Sequence, residues 1–90
     1  MELSNLNTAS QKLDMLVAVR TALCIDIEKN CLTVGIDPAS IDDEHFDAST
    51  FKAQFPESTP TLQVVAIKAI ARNVQNLVVV NKKIEELQNV

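Results

Sequence analysis

Two stretches of this chain repeat apolar residues every three or four positions, and a polar, proline-marked stretch separates them. In the first, Leu13, Leu16, Val17, Leu23, Cys24, Ile27 and Cys31 recur at helical spacing, while Lys12, Asp14, Asp26 and Lys29 fall mostly on the other side. Thr8 and Gln11 have the spacing of a capping box, in which hydroxyl and glutamine each satisfy a free amide at the helix start. A helix over about 8–32 follows, with Gly35 as a left-handed stop just beyond it. Residues 1–7 are expected to fray.

In the second stretch Ile67, Ile70, Val74, Leu77, Ile84 and Leu87 line one face. Thr59 is expected to cap this helix and Pro60 to take its first position, where a missing N–H costs nothing. A helix over about 60–87 would be roughly 40 Å long. Leu77-Val78-Val79-Val80 alone would suit a strand, but the pattern on both sides is helical. Between the long helices, Asp37-Pro38 predicts a short turn over 38–43. Asp47 predicts a capped second one over 48–54, ended by Pro56. Phe46, Phe51 and Phe55 are expected to fold back onto the long helices.

One glycine and three prolines in ninety residues leave few tight turns, which disfavours a many-stranded sheet. The predicted architecture is therefore one all-α domain over 1–90: two long antiparallel helices joined by an acidic connecting segment, 33–59, with one or two short helices. Written as heptads, the last helix puts Ile67, Val74 and Asn81 at one seam position and Ile70, Leu77 and Ile84 at the other. Ala71, Val78, Val80 and Leu87 widen the stripe beyond what a two-stranded coil needs. The first helix covers part of it. A second copy is the simplest cover for the rest, giving a helical-bundle dimer held by Ile67, Ile70, Val74, Leu77, Val78, Asn81 and Ile84. Asn81 either pairs with its own copy and fixes register, or sits wet where the helix rotates.

Charge changes the picture of partners. Residues 30–60 carry one basic against six acidic side chains, net −5, whereas residues 61–90 carry four basic against two acidic, net +2. An acidic chain repels phosphate backbones, so nucleic acid is disfavoured as a partner. The solvated side of the last helix accounts for Lys68, Arg72, Lys82 and Lys83. A DNA-binding face built from them is the competing reading. Arg20 falls near the apolar stripe of the first helix. There it either snorkels or pairs with an acidic residue of the connection.

Candidate chemistry is sparse. Cys24 and Cys31 stand two helical turns apart, about 10 Å, too far for a disulfide within one helix. Their spacing fits no zinc pattern, so small buried thiols in a reducing compartment are expected. The run from Asp42 to Asp47 holds four carboxylates and His45 but lacks the glycine and alternate ligands of a calcium loop. No metal or cofactor is expected. His45 is the only histidine, so any Ser/His/Asp or Cys/His arrangement would have to use it.

Residues 1–12 do not read as a secretory leader, and Lys68, Arg72, Asn73, Gln75 and Asn76 interrupt the longest apolar stretch. A cytoplasmic, non-membrane location is therefore expected. Capped helix, acidic connection and long apolar helix recur in many unrelated small bacterial and phage proteins, an architectural likeness that carries no function. The expected function is non-enzymatic protein–protein interaction: a small adaptor, chaperone-like or regulatory homodimer. Asp42, Asp43, Glu44 and Asp47 could contact a further, basic partner. The alternative is an acidic inhibitor that imitates nucleic acid and occupies a nucleic-acid-binding protein.

Overall fold

The structure, a computed structural model, describes residues 9–89. The expected fraying of 1–7 and the pairing of Thr8 with Gln11 lie outside or at the edge of that range. Helix α1 spans Ala9–Val34, α2 spans Ala48–Ala53 and α3 spans Thr61–Gln88, with a 3-10 turn at Pro38–Ser40. No strand occurs among the described residues. The two long helices pack against each other, and the connection between them supplies the short pieces.

Helix α1 ends where a residue free of Cβ permits it to end. Gly35 has φ +74°, its N–H bonds to the Leu32 carbonyl at 3.3 Å, and the Ile36 N–H reaches back to the Cys31 carbonyl at 2.9 Å. This is a Schellman stop, and its customary apolar contact is made by Ile36 against the core that holds Cys31. A Cβ at Gly35 would meet nothing within 4 Å. Gly35→Ala therefore isolates conformational strain: urea unfolding should show a loss of about 1 kcal/mol, the cost of a left-handed L-residue. Gly35→Asn should lose less, because asparagine tolerates that region.

Asp37 starts the next turn by accepting from the Ala39 N–H at 3.0 Å, with Pro38 in first position. The turn stops at Ser40, short of the expected residue 43, because Ile41 is extended and Asp42 turns its carboxylate to the Glu44 N–H. Asp47 caps α2 as its position predicts, accepting from Ser49 and Thr50 amides at 2.9 and 3.3 Å. Phe51 is buried between Phe46 and Phe55, each ring centroid 5.4 Å from its own.

Thr59 does not cap α3. Pro60 occupies the cap position with no side-chain bond, and the Thr59 hydroxyl donates instead to the Pro56 carbonyl at 2.6 Å. The turn after Pro56 takes that hydroxyl before the helix begins. Residues 77–80 are helical: Val80 is buried at helical spacing from Ile84, and the neighbouring helical turns override local β preference.

Ile27, Cys31, Phe51, Ile67, Ile70, Ala71 and Val74 form the main core, at the end of the hairpin nearest the connection. The helices extend well past it. The Cα radius of gyration is 16.1 Å, against roughly 12 Å for a compact chain of this length. A rod of this shape covers less of its own apolar surface than a sphere would.

Candidate functional site

Helical spacing divides the hairpin into two faces. On one, Ile27 and Cys24 of α1 and Val74, Leu77 and Asn81 of α3 meet Pro38, Ile41 and Asp43 of the connection around a cleft of about 280 Å³. Ile36, Phe46 and Phe55 close over the core on that side. The other face has no such cover. There α1 presents Met15, Val19, Ala22, Asp26 and Asn30, spaced three or four apart. Helix α3 presents Leu62, Val65, Ala69, Asn76, Lys83 and Leu87 there, while Asn73 and Val80, in the same register, are buried. Two contacts tie the stripes side by side: Asn73 donates its amide to Asp26, and Met15, Val19, Lys83 and Leu87 share a groove of about 480 Å³ at the far end.

The residues expected to hold a second copy divide between these surroundings. Ile67, Ile70, Val74 and Ile84 are buried inside the chain, Leu77 and Asn81 are half-buried beneath the connection, and Val78 is exposed. The large apolar side chains left in solvent stand elsewhere: Leu62 is 81 % exposed, Met15 64 %, Val65 61 % and Val19 46 %, all on the uncovered face. Ile25, Leu32 and Val79 are also exposed, on the outer sides of the two helices. Asn81 donates to the Asp43 carboxylate at 3.4 Å, a long bond that ties the connection to α3.

Asn73 was missed by reading the seam as heptads. It is 6 % exposed and bonded to Asp26, which also accepts from Asn30 at 3.2 Å. The available signal was its register, since Ala66, Ile70, Asn73, Leu77, Val80 and Ile84 form one continuous helical stripe. Asp26 is thus engaged across the helix pair as well as solvated.

The acidic run is mostly occupied with its own backbone. Asp42 holds the Glu44 N–H at 3.1 Å and His45 Nδ1 at 2.8 Å, Asp47 caps α2, and Asp43 faces Asn81. Asp42, Glu44 and Asp47 remain exposed. The hydrogen bond with His45 holds the Asp42 carboxyl below its usual value, and the same bond with Asp42, reinforced by its charge, raises the His45 imidazolium. The raised histidine favours the fold below its ordinary 6.5 and stops doing so as pH rises through its folded value. The lowered carboxylate favours the fold above 3.8 and stops as pH falls through its folded value. The pair is complete between the two. In Asp42→Asn, NMR titration should return the His45 midpoint toward 6.5, with little change in stability because both side chains stand in solvent.

His45 lines a cleft of about 400 Å³ with Phe46, Phe51 and Phe55. The nearby Ser40 hydroxyl donates to the Asp37 carbonyl at 2.6 Å, which turns it into the local turn and away from attack chemistry. No three His, Cys, Asp or Glu side chains converge as metal ligands among the described residues. Cys24 is half-buried and Cys31 fully buried, both as free thiols. Burial, with the charges of Asp37 and Glu28, pushes the Cys31 thiol up. Arg20 is half-buried beside the cleft that contains Asp43, but among the described residues the one ion pair is His45 with Asp42. No described helix is long and apolar enough to cross a membrane. Comparison with protein-family models, curated proteins and solved structures finds no match to this chain.

Proposed function

We propose that this protein works by binding: a small, non-enzymatic adaptor, chaperone-like or regulatory protein of the cytoplasm that acts as a homodimer. The observation that carries the reading is the uncovered face of the helix pair, where Leu62, Met15, Val65 and Val19 stand largely in solvent on a rod too thin to hide them. Leu62 with Val65, and Met15 with Val19, form two exposed apolar patches at opposite ends of the helix pair, and exposed apolar patches mark interaction surfaces. Sedimentation equilibrium from micromolar to near-millimolar concentration tests the dimer. A single species at monomer mass throughout would remove it.

A second reading rests on the connection, where Asp42, Glu44 and Asp47 lie exposed on the side away from the apolar face. This acidic side would engage a basic, nucleic-acid-handling protein in place of its phosphates. The two readings separate by salt. Binding through the acidic side should weaken steeply as ionic strength rises, and binding through the apolar face should not.

A further inference from the structure

We infer that the phenylalanine-lined cleft of the connection seats an arginine side chain carried by a basic protein partner. The inference rests on the second reading above and names its contact. The cleft holds about 400 Å³, within the range of ligand sites, and Phe46, Phe51 and Phe55 give it an apolar wall. Asp42 and Asp47 line the same cleft, and no lysine or arginine does. The two carboxylates repel an anion, and His45 is the one lining group that can carry positive charge. A cation is therefore the complement in charge, and a flat one is the complement in shape. Aromatic faces attract cations through their quadrupole, arginine more often than lysine. A guanidinium lies against a ring and still forks to a carboxylate, whereas an ammonium is a compact, strongly hydrated point charge.

Asp47 is the better placed of the two acceptors. Both of its bonds to the start of α2 are made by Oδ1, at 2.9 and 3.3 Å, so Oδ2 can accept from an incoming N–H without uncapping the helix. Asp42 is engaged twice, by the Glu44 N–H at 3.1 Å and by His45 Nδ1 at 2.8 Å, and contributes its charge more than a free oxygen. The aromatic wall is formed in advance. Phe51 is buried and stands 5.4 Å from Phe46 and from Phe55, centroid to centroid, so little ordering is left for the ligand to supply. Glu44 is exposed and lies between Asp42 and Asp47 in sequence, and residues 30–60 carry a net −5. That charge extends past the cleft, which favours an arginine on a basic chain over a small free cation.

The test titrates the full chain with a blocked leucine-arginine-leucine peptide and follows backbone amides by NMR. Control peptides carry lysine or citrulline at the centre; citrulline keeps the planar head and loses the charge. The arginine peptide should shift the amides of His45, Thr50 and Gln54 most and bind about threefold or more tightly than either control. Asp42→Asn/Asp47→Asn should weaken it about tenfold. Asparagine still caps a helix, so α2 is kept. Phe55→Leu keeps apolar bulk but loses the ring face, and should weaken the arginine peptide about threefold with circular dichroism unchanged. Polylysine, titrated alongside, probes the acidic side alone. Arginine and lysine peptides that bind alike and ignore Phe55→Leu overturn the inference and leave the second reading standing. So does a response to polylysine with none to the arginine peptide. Citrulline binding as tightly as arginine also overturns it, because charge then plays no part. Silence toward every probe removes inference and reading together.

Discussion

Replacing Ile70 with alanine should cost about 3–4 kcal/mol of unfolding free energy, the largest loss expected from any single truncation in this chain. Ile70 has no exposed surface and lies at the junction of α1, α3 and the connection, beside Ile27, Cys31, Phe51 and Val74. Removing three carbons there leaves a void that two rigid helices cannot close, so the cavity cost adds to the transfer cost. Alanine is the better helix former, but that returns only tenths of a kilocalorie. Against a total of about 5–13 kcal/mol for ninety residues, the loss is a large share. Thermal unfolding should fall by roughly 15 °C. Protomer concentration must be held fixed, because any self-association would add to apparent stability. A drop of only a few degrees would mean that the helices repack and that the core is far looser than its burial indicates.

Phe51→Ala should cost nearly as much, about 3 kcal/mol, but with a different distribution. Helix α2 has six residues, too few to persist in water without tertiary contacts. Its one buried side chain is Phe51, which also spaces Phe46 and Phe55. Loss of that ring should release residues 36–55 while α1 and α3 stay paired through Ile27, Ile70 and Val74. Hydrogen exchange reads this directly: amides of α2 should lose protection almost completely and those of α1 and α3 only in part. Uniform loss would show that connection and hairpin unfold as one unit.

Much of this fold is written in local patterns. The paired helices follow from apolar spacing, Gly35 from its place just past the last repeat, and Asp47 from its position before a short helical run. Each is decided within a few residues. The cap of α3 was not legible, because Thr59 has two acceptable uses and the preceding Pro56 carbonyl wins its hydroxyl. The destination of the broad stripe on α3 was not legible either. Periodicity says that Ile67, Ile70, Val74 and Ile84 are buried, but not whether α1, the connection or another chain buries them. Here Phe51 and its neighbours take up the share of that stripe nearest the connection, and the apolar residues left over, Leu62 and Val65, sit to one side of its centre. The bond between Asp26 and Asn73 joins residues 47 apart in sequence, beyond the reach of any local rule.

The phenylalanine cluster has an experimental consequence. With no tryptophan or tyrosine anywhere in the chain, the protein is nearly dark in the near ultraviolet. A single indole introduced in place of Phe55, at the edge of the cluster, would be the sole fluorophore. Its emission would then report whether the connection is seated on the helices, free of any background signal.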